Sequence, residues 1–220
     1  MTLTPADSGT PLEHDGDALN PWLWALLKMP CRLATTLMFD LKTYGKRHVP
    51  AAGGALLISN HQSNLDPVLL AVHLRRQVSF MAKIELFQNR HFGWLIRQLN
   101  AFPVRRGEGD VGAIREVLRR LKEGKVLTLF PEGTRTRDGR IGRIQPGIAM
   151  IVKRAQVPVI PAVIDGSFQS WPRGRKLFRP HPIRVMYGPP LRVEKLKAEQ
   201  IVQLIASTLS GMLEELRKKG

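Results

Sequence analysis

"GGALLISNHQSNLDPVLLAVHL", residues 53–74, sets the architecture. Its apolar run 55–59 has the length of a buried strand. From Pro67 onward the apolar residues read as the opening of a helix. Proline is favoured at the first helical position, which makes Asp66 the natural N-cap. Between strand and helix stand His61 and Asp66, five residues apart, in the kind of connection where α/β proteins hold their chemistry. On a continuous helix, residues i and i+5 stand about 140° apart. The two side chains can therefore meet only if the connection is not helical throughout. One Asp66 oxygen could then cap the helix while the other accepts a hydrogen bond from the imidazole. Such a bond fixes the tautomer and leaves the second ring nitrogen free to act as a base. Taken singly, an aspartate before proline is usually only a cap and a lone histidine only polar filler. The pair needs support from the rest of the chain.

That support begins with a repeating rhythm. Apolar runs at 78–82, 101–104, 126–130, 158–164 and 183–187 read as further strands, with helical patterns between several of them. In 111–123, Val111, Ile114, Val117, Leu118 and Leu121 line one face, with Asp110 placed to cap the start and Gly124 the end. A last amphipathic helix over 197–217 runs through Ile201, Leu204, Ile205, Met212 and Leu216. Strands alternating with helices predict a single α/β domain over 45–220, with a mixed, largely parallel central sheet flanked by helices.

The N-terminal part differs. Residues 1–20 are acidic and poor in apolar side chains and read as a disordered tail. Over 21–44, Trp22, Leu26, Met29, Leu33 and Leu37 recur at spacings of three and four, a helical stripe that Pro30 is expected to kink or split into two short helices. Two readings stand side by side. The tryptophans with Lys28 and Arg32 suit amphipathic helices lying in a membrane interface; the plainer reading is a helical hairpin packed on the protein's own core. The longest charge-free stretch here, Ala18 to Leu27, falls far below the ~18 residues of a spanning helix.

Charge narrows the function. The net charge is +16, and the first 20 residues hold four acids and no Lys or Arg. The other 200 residues thus carry 34 basic against 14 acidic side chains, +20, which points to an anionic partner. Cys31 is the only cysteine, which excludes an intrachain disulfide and fits a reducing compartment. The N-terminus has neither a secretory-signal nor a transit-peptide pattern. "AFPVRRGEGD" (101–110) and "LFPEGTRTRDG" (129–139) both place arginines just after an apparent strand end, where the guanidinium fork suits phosphate. Gly133 permits close backbone approach. Two solvated turns are the plain alternative. "VPVIPAVIDG" (157–166) alone says only buried wall. No metal-ligand spacing is present.

In this order and at these separations, "NHQSNLDP", "FPVRR", "FPEGTRTRDG" and "VPVIPAVIDG" resemble the four blocks of the glycerolipid acyltransferases, and among them the 1-acylglycerol-3-phosphate (lysophosphatidate) acyltransferases. The resemblance runs from about residue 45 to 190. It implies that His61 is the general base that deprotonates the acceptor hydroxyl and that Asp66 orients it. It places Arg106, with Arg105 as its rival, and Glu132, Gly133 and Arg135 at substrate-binding positions, the last three toward phosphate. Pro161 matches a position linked to acceptor binding, and "MAKIELF" points Lys83 toward the site. The implied reaction moves an acyl group from acyl-CoA or acyl-carrier protein to the free hydroxyl of the lyso-lipid, forming phosphatidic acid, with no cofactor and no metal.

Because a lyso-lipid keeps its chain in the bilayer, such an enzyme has to work at the interface. Drawing the chain into water costs about 0.8 kcal/mol per methylene. The expected location is therefore peripheral, on the cytoplasmic face of an anionic membrane, with "WPRGRKLFRP" (171–180) as a further contact. Two competing readings remain at this level. One keeps the fold and changes the lyso-lipid. The other is a non-catalytic binder of polyanions or nucleic acid; charge favours it, but no nucleic-acid motif does.

Overall fold

The computed structural model describes residues 21–104 and 111–219, with side chains from Leu26 onward. The acidic tail, Arg105, Arg106, the Asp110 cap and the Trp22 side chain lie outside the described residues.

Seven strands form one sheet: β1 (Lys42–Tyr44), β2 (Ala55–Ser59), β3 (Val78–Lys83), β4 (Ala101–Val104), β5 (Val126–Leu129), β6 (Val159–Asp165) and β7 (Arg184–Tyr187). Their order is β1-β7-β6-β2-β5-β3-β4. Every neighbouring pair is parallel except β6 and β7. The expected mixed, largely parallel sheet is what the chain builds. Six strands fall on the apolar runs read from the sequence. β1 does not: "KTY" carries no apolar run, and the segment becomes a strand by pairing with Arg184–Met186.

Helices cover both faces. Leu56 and Ile58 of β2, Leu127 and Leu129 of β5, and Val159 and Val163 of β6 point to one face. There they pack under α4 (Val111–Lys122), α5 (Gly147–Ala155) and α7 (Ala198–Lys218). Ala55 and Leu57 of β2 and Ile160, Ala162 and Ile164 of β6 point to the other, against α1 (Pro21–Phe39) and α2 (Asp66–Val72). This period of two, with both faces apolar, is why the central strands read as unbroken hydrophobic runs. α3 (Arg90–Gln98) closes a smaller cluster over Phe80, Ala82 and Ala101.

The N-terminal segment departs from expectation. It is one helix, not two, and it ends at Phe39, because Phe39 and Leu41 turn into the core and Lys42–Tyr44 joins the sheet. Pro30 lies inside that helix; a proline removes one hydrogen bond without having to end a helix. The stripe faces away from the protein: Leu26, Met29, Leu33 and Leu37 are 67%, 73%, 61% and 75% exposed. Cys31, Thr35 and Phe39 form the inner face instead. Beside the helix's end, Phe178 stacks edge-on against Phe39 and Trp171, and Leu177 is exposed. Among the described residues no helix is long and apolar enough to cross a membrane.

The topology fixes where a site belongs. β2 and β5 are adjacent and parallel, yet the chain leaves β2 toward α2 on one face and leaves β5 toward α5 on the other. The two loops part at the carboxyl edge of the sheet and open a crevice, the switch point at which open α/β sheets bind ligands.

Candidate active site

The loop after β2 carries His61 into this crevice. His61 Nδ1 lies 2.8 Å from Asp66 Oδ2, and the ring stacks on Phe130 with centroids 3.9 Å apart. The carboxylate is completely buried. Its Oδ2 also accepts the backbone N–H groups of Gln62 at 2.6 Å and Ser63 at 2.7 Å, while Oδ1 accepts from Ser167 Oγ at 2.7 Å. A carboxylate so supplied with donors is an acceptor, so Nδ1 carries the proton and the Nε2 lone pair is left open. No hydrogen bond among the described residues involves Nε2.

Asp66 therefore does not cap the helix as expected. It is the first helical residue of α2, Leu65 holds the N-cap position, and no side chain caps there. The carboxylate turns back onto the N–H groups of its own loop. Pro67 makes this cheap: it sits in the first turn, where its missing N–H leaves no donor to satisfy.

The loop after β5 braces the other side. Glu132 Oε1 accepts the His61 backbone N–H and Oε2 that of Gly142, both at 2.8 Å. The His61 carbonyl accepts the Thr136 N–H at 2.8 Å. Burial raises the Glu132 carboxyl above the usual carboxylate range; the two N–H donors and the neighbouring imidazole oppose it. Gly133 turns the chain with φ of 71°, a left-handed conformation that favours glycine. Arg135 is half-buried near Asp66. Burial, and next the like charge of Arg173, lower the guanidinium's hold on its proton, and Asp66 acts the other way. Arg135, Arg137 and Arg173 form no ion pair among the described residues. Arg137 and Arg173 line a hollow of about 410 Å³ with Phe168 and Pro172.

The structure thus gathers His61, Asp66, Glu132, Gly133 and Arg135 at one edge. It does not draw in the other candidates. Lys83 is exposed at the end of β3, on the same carboxyl edge but outside the hydrogen-bonded cluster. Pro161 is buried within β6, where a β-carbon on Gly188 would lie 3.0 Å from its Cγ and 2.8 Å from the Met212 sulfur. It is part of the wall. Arg106 lies outside the described residues.

Sequence reading passed over three residues that build the site. Asn60 clamps the end of β2 to β6, its amide donating to the Ile164 carbonyl at 2.9 Å and accepting the Ile164 N–H at 2.8 Å. Gln62 reaches the Gly139 carbonyl at 3.3 Å and accepts from Phe168 N–H at 3.3 Å. Ser167 holds Asp66. The available signal was the density of polar residues in "SNHQSN" directly after a buried strand: buried polar groups need partners, and partners here mean other loops.

A small, mostly apolar hollow of about 40 Å³ lies against α1 between Leu27, Cys31, Pro67, Val68 and Phe80, with Lys28 also on its wall. No group of three or more metal-ligating side chains occurs among the described residues.

A histidine held by a buried carboxylate at the switch point of an α/β sheet, beside arginines that form no ion pair among the described residues, is the layout of an α/β enzyme equipped for base-assisted transfer. A family model described as Acyltransferase matches residues 40–165. The 1-acyl-sn-glycerol-3-phosphate acyltransferase of Bacillus subtilis (strain 168) is 29% identical over 192 residues, 86% of this chain and 94% of that one. That of Streptococcus pneumoniae (strain ATCC BAA-255 / R6) is 29% identical over 73% of this chain and 60% of its own length. The crystal structure of the 1-acyl-sn-glycerophosphate (LPA) acyltransferase PlsC from Thermotoga maritima superposes with a TM-score of 0.77 at 26% identity, covering 93% of this chain and 84% of that one. The chain belongs to the acyltransferase family.

Proposed function

We propose that the protein transfers an acyl group from a thioester to the free hydroxyl of 1-acyl-glycerol-3-phosphate, forming phosphatidic acid. The observation that carries this is the 2.8 Å contact between His61 Nδ1 and Asp66 Oδ2, which leaves Nε2 as the base; the relatives' names supply the acceptor. In the reaction, Nε2 takes the hydroxyl proton as the oxygen attacks the thioester carbonyl carbon. The tetrahedral intermediate collapses, the C–S bond breaks, and the leaving thiolate takes the proton back from His61. Positioned base catalysis of this kind contributes roughly 10²–10⁴-fold. Asp66 holds the ring and stabilises the imidazolium between the two transfers.

In this reading Arg135 holds the acceptor's phosphate, supported by its half-burial without an ion-pair partner among the described residues. The donor is acyl-CoA or acyl-carrier protein. The exposed stripe of α1 and the Leu177–Phe178 loop favour peripheral docking on the cytoplasmic face of an anionic membrane, so the acceptor's chain need not leave the bilayer. Lys83 and Arg106 extend the substrate site, and Pro161 backs it from the core. Neither cofactor nor metal takes part.

The test offers purified protein a panel of lyso-lipids, each with acyl-CoA and with acyl-carrier protein, and follows thioester cleavage. Turnover with 1-acyl-glycerol-3-phosphate that disappears in His61→Ala supports the reading. Selective use of another lyso-lipid replaces the acceptor, and salt-sensitive DNA binding without acyl transfer overturns it.

A further inference from the structure

Asp66 receives four hydrogen bonds, unevenly placed. His61 Nδ1 and the N–H groups of Gln62 and Ser63 all reach Oδ2. All three come from the loop that also carries Asp66. Oδ1 has one donor among the described residues, Ser167 Oγ at 2.7 Å, from a segment 101 residues away. Asp66 and Ser167 are both 0% exposed, shielded from bulk solvent. The hydroxyl has a single proton and two acceptors in range, Asp66 Oδ1 at 2.7 Å and Gln62 Oε1 at 3.2 Å. The nearer and charged acceptor takes it, because a bond to an ionised oxygen is roughly twice as strong. Gln62 Oε1 is served instead by the Phe168 N–H.

The backbone delivers Ser167 to this point. Gly166 has φ of 91°, and a β-carbon there would lie 2.1 Å from the Pro182 carbonyl oxygen, so only glycine makes the turn. The segment is then tied down again where Ser63 Oγ donates to the Trp171 carbonyl at 2.9 Å.

A carboxylate held by one oxygen alone can rotate about its Cβ–Cγ bond; one held by both cannot. We propose that Ser167 is a positioning residue for acyl transfer: its hydroxyl fixes Oδ1 so that Oδ2 stays on His61 Nδ1. The inference rests on the reading of His61 as base. The charged and titratable groups around Asp66 are His61 on its own loop and Glu132 and Arg135 on the loop after β5; Ser167 is the neutral donor among them.

The experiment compares wild type, Ser167→Ala, Ser167→Thr and His61→Ala, using 1-acyl-glycerol-3-phosphate and an acyl thioester, with thermal unfolding run alongside. Losing a hydrogen bond to a charged group costs a factor of about 10–100, and Ser167→Ala should lose turnover on that order with KM for the acceptor unchanged. Ser167→Thr, which keeps the hydroxyl, restores turnover. Wild-type turnover in Ser167→Ala overturns the proposal, as does a raised acceptor KM at unchanged turnover, or equal impairment of both variants with lowered stability, which assigns Ser167 to packing. An active His61→Ala overturns the reading of the base itself, independently of Ser167.

Discussion

Glu132 and His61 are joined across the switch point: the Glu132 carboxylate accepts the His61 backbone N–H at 2.8 Å, with the Gly142 N–H on its other oxygen. A carboxylate beside a phosphate is repulsive, but one that serves two backbone donors, the buried His61 N–H among them, holds the base's loop against the loop carrying Arg135. Glu132→Ala strands the buried His61 N–H, at about 1–3 kcal/mol for a buried group left unsatisfied, while the exposed Gly142 N–H can turn to solvent. Chemical denaturation should show that loss, and turnover should fall with little change in acceptor KM. A raised KM at unchanged stability would instead place Glu132 on the substrate.

His61→Ala should lower turnover by roughly 10²–10⁴-fold while the fold is kept, since the ring contributes one stacking contact with Phe130 and one of the four hydrogen bonds to Asp66, whose other three donors remain. Asp66→Asn should be comparably severe. The amide has one acceptor atom where the carboxylate has two, so it cannot serve the donors on both sides, and a neutral group no longer stabilises the imidazolium. Steady-state rates with circular dichroism on both variants check this.

Arg135→Ala should weaken the phosphorylated acceptor by about 1.5–3 kcal/mol, the worth of a hydrogen bond to a charged group. The effect belongs in acceptor KM rather than donor KM. Arg135→Lys should recover only part of it, because an ammonium lacks the two-pronged fork. Running Arg105→Ala and Arg106→Ala in the same assay assigns the arginines of that block. Unchanged acceptor KM in Arg135→Ala would make this arginine purely structural.

Membrane docking is best tested by substitution, because Phe39 and Leu41 are core residues and β1 begins at Lys42, so removal of 21–44 would open the sheet. Replacing Leu26, Met29, Leu33 and Leu37 with Ser leaves the interior untouched. The quadruple variant should co-sediment less with anionic vesicles. Wild-type binding should keep a salt-resistant apolar component and lose a salt-sensitive basic one. Activity on a short-chain, water-soluble acceptor should be spared. Equal sedimentation of both proteins would remove α1 from the docking surface.

The sequence by itself determined the elements and the site's first loop. Strand runs such as 55–59 and 101–104 and the helix over 111–122 are encoded locally, because a strand covered on both faces is apolar along its length and a helix with one covered face repeats its apolar residues about every 3.6 positions. The five-residue spacing of His61 and Asp66 is equally local. Tertiary structure decided everything that depends on distant partners. β1 exists because β7 lies beside it, 142 residues on by register. Ser167 reaches Asp66 only through the fold, and Glu132 is committed to backbone donors that no motif displays. The α1 stripe shows the limit plainly. Its period marks an apolar face, but whether that face meets the core or the outside depends on which side of the helix the sheet occupies, and the sheet took Cys31, Thr35 and Phe39.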